Sequence, residues 1–286
     1  ETLGRILAPA KQTTSVAREP LDPGVYESIE GPPDRTVIVD QTKQSVTNPV
    51  NFLGINKRIV GAYAESEDAK ALGLDAKTLG RRCSVCRGKG QISLDMGFLP
   101  NVGIECETCA GSGYTSEAWS VEVNGITLPE VNRLTIDEAL DQFRHIDAIA
   151  RPLQAARDVG LGYLVLKQPG VSLSGGEAQR LKIAKELCRK NKKGTLYILD
   201  EPTVGQHLED VERLSGVLHR LVDAGNSVLV IEHNPNLLAS CDYIMELGPE
   251  GGPEGGYLIA SGTPETLAGK DTPTAPYLKE VLEAAK

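Results

Sequence analysis

Long apolar runs are missing from this 286-residue chain. No window approaches the roughly 18 consecutive apolar residues of a spanning helix. The longest apolar stretches are strand-sized, such as Val228-Leu229-Val230-Ile231. A basic-then-apolar leader is missing as well, so a cytoplasmic location is expected. There is no initiator Met; Glu1 opens the chain, as expected of a processed or partial polypeptide. An excess of basic residues is also absent: 30 Lys and Arg stand against 39 Asp and Glu, a net charge of −9. That balance argues against coating nucleic acid over the whole surface, so any such role needs a local patch or a partner. With 40% hydrophobic and 24% charged residues, the chain can pack one large domain or two modest ones and is not disordered throughout.

One basic patch is present. Residues 179–193 hold Arg180, Lys182, Lys185, Arg189, Lys190, Lys192 and Lys193 against Glu186 alone. It reads either as a solvated helix face or as a surface for backbone phosphates.

Four of the six cysteines fall into one pattern: Cys83-x2-Cys86, nineteen residues, then Cys106-x2-Cys109. Two such pairs gather four thiolates on two tight turns, which suits tetrahedral zinc. A closed four-thiolate shell has no open position, so the metal would be structural. Each pair continues as Cys-x-Gly-x-Gly, through Gly88 and Gly90 and through Gly111 and Gly113. Glycine permits the positive φ that such a turn requires. The competing reading, two disulfides or four unrelated thiols, is disfavoured in a reducing compartment. Cys188 and Cys241 sit among apolar residues and read as packing residues.

Thr36-Val37-Ile38-Val39 reads as a buried strand ending at Asp40-Gln41, after a short helical start at Leu3, Ile6 and Leu7 and a proline-rich turn segment. Over 132–166 the pattern is helical, with Thr135 and Glu138 as a capping box. The last third alternates clearly. A helix over 174–190 starts at Ser174 with Glu177 three residues on. Strand 195–199 runs into Asp200-Glu201, and helix 207–223 is followed by strand 227–231, which ends at Glu232-His233-Asn234. Another strand is expected at 242–247, then a glycine-rich turn and an edge strand at 257–260. Strands alternating with helices predict parallel βαβ units and an α/β class.

Four elements carry chemistry. Leu173-Ser174-Gly175-Gly176-Glu177-Ala178-Gln179-Arg180 is a glycine-rich turn opening a helix, either an anion site or simply a capped start. The strand ending in Asp200-Glu201 offers one carboxylate for magnesium and another for a water. His233 ends the next strand, and Gln41 follows strand 36–39. In this order they resemble the ATP-binding cassette (ABC) ATPases: glutamine loop, signature motif, Walker B strand and switch histidine. Leu-Ser-Gly-Gly-Glu-Ala-Gln-Arg, Leu-Tyr-Ile-Leu-Asp-Glu-Pro-Thr, Ile-Glu-His-Asn and Leu-Gly-Pro-Glu-Gly-Gly, with a four-cysteine hairpin ahead of the signature, narrow the resemblance to the C-terminal part of the UvrA family of the ABC excinuclease.

The resemblance implies a partial ABC-type ATPase core with an inserted helical signature domain bearing a zinc hairpin. Residues 1–55 would be the N-terminal part of the core with the glutamine loop. The signature domain would span 56–194, with the zinc hairpin at 81–118, and the C-terminal core 195–286. It implies ATP, Mg2+ and Zn2+ as cofactors. Glu201, His233 and Gln41 would be catalytic; Ser174, Gly175, Gly176, Glu177 and Asp200 would bind the nucleotide and its metal; Cys83, Cys86, Cys106 and Cys109 would hold zinc. It further implies DNA-damage recognition in nucleotide excision repair, with damaged duplex DNA, a UvrB-like partner and a second copy of the protein as partners. Basic residues at 180–193, with Arg81, Arg82, Arg87 and Lys89 of the hairpin, would then meet DNA phosphates.

The sequence departs from that pattern in one decisive respect. No G-x-x-x-x-G-K-[ST] loop is present: Gly88-Lys89 and Gly269-Lys270 lack the upstream glycine and the following Ser or Thr. A missing N-terminal portion is expected to supply it, and the isolated chain is expected to turn over little ATP. Val204, Gln206 and the stretch 42–56 also differ from the family's usual run. A UvrA-like factor for antibiotic self-protection is the alternative within the family. A non-enzymatic zinc module like the cysteine-rich region of DnaJ chaperones is the alternative outside it.

Overall fold

A computed structural model describes residues 25–41, 46–96, 99–189, 193–249 and 255–284. Leu3, Ile6, Leu7, Lys190 and Lys192 lie outside the described residues. The chain divides into two units, Glu1–Gln44 with Lys190–Lys286, and Ser45–Arg189. The strands in chain order are β1 (Arg35–Val39), β2 (Gln91–Met96), β3 (Leu99–Glu105), β4 (Glu122–Val123), β5 (Ile126–Thr127), β6 (Thr195–Asp200), β7 (Ser227–Ile231), β8 (Ile244–Gly248) and β9 (Tyr257–Gly262). No helix among the described residues is long and apolar enough to cross a membrane.

In the first unit β1, β6 and β7 form a parallel sheet in the order β1-β6-β7. β6 lies in the middle, and Tyr197, Ile198 and Leu199 are buried, as a strand covered on both faces requires. The register sets Val39 against Leu199 and Asp200 against Ile231. Helix Leu208–Asp223 returns the chain from β6 to β7 and buries Val211, Leu214, Val217, Leu218 and Leu221 on one face. Asn226 pins this crossover from a buried position. Its Oδ1 accepts from the Thr195 N–H at 3.2 Å and its Nδ2 donates to the Leu221 carbonyl at 2.9 Å. The start of β6, the end of the helix and the start of β7 are thereby tied to one side chain. β8 and β9 make a separate antiparallel pair. β8 starts two residues later than the hydropathy pattern suggests, because Asp242 and Tyr243 are exposed in the preceding turn.

The second unit is helical. Ile136–Phe143 and Asp147–Asp158 pack together and bury Ile136, Phe143, Ile149 and Leu153 fully. Thr135 and Glu138 form the expected capping box, and Thr127 with Glu130 forms another. Pro152 sits inside the Asp147–Asp158 helix and cannot donate to the Ala148 carbonyl. Arg58 supplies the replacement, with Nη1 donating to that carbonyl at 2.6 Å. The cysteine hairpin is an excursion of this unit, carried on β2 and β3.

Candidate functional site

Three groups of predicted residues stand in three local settings. The first is the C-terminal edge of the parallel sheet, where an open α/β sheet places its ligand-facing loops. Gln41 follows β1 by two residues and is exposed. Asp200 ends β6, Glu201 follows it, and His233 lies two residues beyond β7. Because β6 neighbours both β1 and β7, three chain segments far apart in sequence bring these four residues out along one edge. Glu201 adopts a positive φ of 44°, which a non-glycine residue holds only when its surroundings impose it. The Glu201 N–H donates to the Ile231 carbonyl at 2.9 Å, anchoring this turn to β7. His233 Nδ1 stands 3.6 Å from Glu201 Oε1, an ion-pair distance when the imidazole is protonated.

The signature residues lie in the other unit, at the N-terminus of helix Gly175–Leu187. Ser174 is the N-cap: its Oγ accepts from the Glu177 N–H at 3.1 Å, and Glu177 Oε2 accepts from the Ser174 N–H at 2.6 Å. Tyr163 donates its hydroxyl to Glu177 Oε1 at 2.7 Å. Burial raises the Glu177 carboxyl, but the Ser174 N–H and the Tyr163 hydroxyl outweigh it and leave the group below the usual range. The capping reading of this motif is therefore realised in full. The first-turn amides of Gly175 and Gly176 stay at the open end of the helix, where the dipole favours an anion.

The basic run on this helix is not a solvated face. Arg180 is buried, Lys185 lies 4.2 Å over the Phe52 ring, and Arg189 pairs with Glu186 at 3.1 Å. Only Arg189 and Lys193 of the described basic residues in this run are exposed. Packing has used the aliphatic stems and several of the charges. Among the described residues of this run the charges are divided between buried, half-buried and exposed positions, so they do not make one continuous exposed stripe. On the hairpin, Arg81 pairs with Glu117 at 3.6 Å.

The third group is the cysteine cluster. Cys83, Cys86, Cys106 and Cys109 are all buried, none is in a disulfide, and their Sγ atoms lie within 4.8 Å of one another. The Cys83–Cys106 separation is 4.0 Å and the Cys86–Cys109 separation 3.6 Å. A tetrahedral ion with bonds of about 2.3 Å sets its ligands roughly 3.8 Å apart, a value that these two separations bracket. The two knuckles interlock: the Cys83 N–H donates to the Gly113 carbonyl and the Cys106 N–H to the Gly90 carbonyl, each at 2.9 Å. The Gly90 and Gly113 N–H groups point at Cys86 and Cys109 Sγ, each at 3.3 Å. Gly90 has φ +74°, and a Cβ there would run into the Gly111 carbonyl. Four buried thiols without a cation cannot all ionise. Burial pushes the Cys109 thiol up to about 12, while at Cys86 burial is outweighed by the Gly90 and Gly88 N–H groups together with the neighbouring Cys109 and Cys83 thiols, which bring it down to about 7. A dication in the centre removes that conflict. Lys167 and Tyr114 brace the second knuckle, with Lys167 Nζ 3.0 Å from the Ser112 carbonyl and 4.7 Å over the Tyr114 ring.

No family model matches the chain. Single proteins do. UvrABC system protein A of Thermus thermophilus is 44% identical over 273 residues, covering 92% of this chain and 29% of that protein. The chain is homologous to a segment of UvrA. UvrABC system protein A of Lactiplantibacillus plantarum is also 44% identical, over 99% of this chain and 30% of its own length. The crystal structure of UvrA2 from Deinococcus radiodurans superposes with a TM-score of 0.78 at 42% identity, over 86% of this chain and 31% of UvrA2. Neither unit alone could account for 86% of the chain, so the likeness to UvrA2 reaches into both. The chain spans about 30% of the length of these UvrA relatives.

One further residue at the sheet edge, Glu232, carries little signal in the sequence. Glu232 was visible only as the end of a strand, beside the more conspicuous His233. Its side chain is fully buried and carries four hydrogen bonds. A carboxylate next to an apolar strand end was the one available signal.

Proposed function

We propose that these residues form part of a UvrA-type ATPase that couples ATP hydrolysis to recognition of damaged DNA. One observation carries the reading: Gln41, Asp200, Glu201 and His233 leave adjacent parallel strands along one edge, in a chain 44% identical to UvrA over 92% of its length. In this reading Asp200 holds Mg2+, and the ion, when bound, offsets charge developing on the phosphates. Glu201 orients and deprotonates the attacking water, and the Gln41 amide helps to place it. His233 donates to the terminal phosphoryl oxygens. Ser174, Gly175, Gly176 and Glu177 present a helix N-terminus to nucleotide bound at the opposite site, on the other ATPase cassette. The absent G-x-x-x-x-G-K-[ST] loop comes from outside these 286 residues. Among the described residues β7 pairs only with β6, and in this reading the strand bearing that loop pairs along the other side of β7. The four cysteines hold structural zinc. Damaged duplex DNA and a UvrB-like protein are the partners.

The test uses the full-length protein. Glu201→Gln should keep ATP binding and lose turnover by about 10²–10⁴-fold, the scale of a lost general base. The isolated 286-residue chain should hydrolyse ATP negligibly. Robust turnover by that chain, or full activity in Glu201→Gln, sinks the assignment. Damage-dependent DNA binding without loading of a UvrB-like partner leaves the ATPase standing and shifts the role to self-protection against DNA-bound drugs.

A further inference from the structure

We propose that Glu232 is a positioning residue: a buried carboxylate clamp that locks the loop after Glu201 to the loop bearing His233. The inference rests on the ATPase reading for its consequence, though the clamp itself stands on geometry alone. Glu232 Oε1 accepts from the Thr203 N–H at 3.0 Å and from the Thr203 hydroxyl. Glu232 Oε2 accepts from the His233 N–H at 2.7 Å and the Asn234 N–H at 3.1 Å. Each oxygen thus serves one loop: Oε1 the Glu201-Pro202-Thr203 turn, Oε2 the His233-Asn234 turn.

The charge state matters to this division. A carboxylate can accept at both ends, whereas an amide of the same shape can accept at one end only. The side chain has no exposed surface, and burying a carboxylate is costly unless its lone pairs are satisfied. Four donors meet that need, and charge-assisted bonds are the stronger kind. The clamp works beside a second tie, the Glu201 N–H to the Ile231 carbonyl at 2.9 Å. Together they bind both sides of Glu201 to β7 and its following loop, and they hold Glu201 at its positive φ. His233 Nδ1 lies 3.7 Å from Glu232 Oε2 and 3.6 Å from Glu201 Oε1. Glu232 touches no reacting atom in the proposed chemistry. Its contribution is that Glu201 and His233 keep one mutual geometry, where small misplacements are expensive in rate.

The clamp is tested first by hydrogen exchange on the 286-residue chain. Glu232→Ala should speed exchange at the Thr203, His233 and Asn234 amides by about tenfold to a hundredfold, while Leu196–Leu199 keep their protection. Unchanged exchange at either loop, or a uniform rise across the sheet, overturns it. Turnover in the full-length protein supplies the second readout. Glu232→Gln and Thr203→Val should lower kcat about tenfold or more, with KM for ATP within about threefold. Thr203→Ser, which keeps the hydroxyl, should restore kcat. A normal kcat in Glu232→Gln, with Glu201→Gln inactive, refutes the clamp and spares the ATPase reading. Indifference of turnover to Glu201→Gln overturns the ATPase reading instead, and exchange then still decides whether the clamp exists. If Glu232→Ala does not fold, Thr203→Val gives the exchange result at the His233 loop, which must move for the clamp to survive.

Discussion

Replacing Cys106 by serine is the sharpest test of the metal site. Cys106 has no exposed surface, and its Sγ lies 4.0 Å from that of Cys83. The Cys83–Cys106 and Cys86–Cys109 sulfur separations bracket the roughly 3.8 Å edge of a zinc tetrathiolate, so four thiolates are already gathered for the ion. Affinity in the range of other structural sites follows, about 10–16 kcal/mol near neutral pH. Losing one thiolate of four removes on the order of a quarter of this, about 3 kcal/mol, which is more than a hundredfold in affinity. Serine does not replace it, since a neutral hydroxyl is a poor ligand for a soft site. The assay is competition for zinc against a coloured chelator, with metal stoichiometry measured in parallel. Wild type should hold about one zinc per chain, and Cys106→Ser should surrender it at a far lower chelator concentration. The damage should stay local. The knuckles are moored to the helical unit through the Tyr114 hydroxyl on Asn56 at 3.0 Å and Lys167 on the Ser112 carbonyl. Proteolysis of the metal-free protein should therefore cut within 81–118 before it cuts elsewhere. Equal zinc retention by Cys106→Ser and wild type, or a metal-free hairpin that resists protease, refutes the reasoning.

Further outcomes are expected elsewhere in the chain. Gly90→Ala should weaken zinc binding, because its Cβ meets the Gly111 carbonyl, whereas Gly125→Ala meets nothing within 4 Å and should cost only about 1–2 kcal/mol from its φ of +77°; comparable zinc affinity in the two variants counts against interlocked knuckles. Phe143→Ala empties a fully buried site and should lower unfolding free energy by about 3–5 kcal/mol in denaturant titrations, and a loss below about 1 kcal/mol contradicts the packing. Glu177 is held below its unfolded value of 4.5, so its stabilisation is complete above that pH and fades as pH falls through the lower folded value. The stability gap between wild type and Glu177→Gln should accordingly narrow on acidification below about pH 4.5, and a gap independent of pH removes the carboxylate from the cap.

Local signals in the sequence carried far. The cysteine spacing and its paired glycines specify two turns whose closure depends on residues only a few positions apart. The capping boxes at Thr135–Glu138 and Ser174–Glu177 are likewise three-residue relations, and both form as expected. β6 and β7 were legible because an apolar run of five or six residues bounded by a glycine turn leaves few other choices. Chain order of the four chemical motifs pointed to the ABC ATPases, and their exact residues with the cysteine hairpin narrowed that to UvrA, without any contact being known.

Side-chain destinations were another matter. The charges of Gly175–Leu187 suggested an outer face, yet Gln179 and Arg180 are buried and Lys185 covers Phe52. Hydrophobic periodicity is weak in this helix, so only the elements packed around it could decide which side faces inward. Pro152 inside a helix became tolerable through Arg58, which is 90 residues from the carbonyl it satisfies. Glu232 looked like a strand terminus until the pairing of β6 with β7 brought Thr203 within its reach. Periodicity and spacing are fixed over a turn or two of chain and can be read from one sequence. Partners for a buried charge are set by register between distant strands, and that is a property of the folded chain alone.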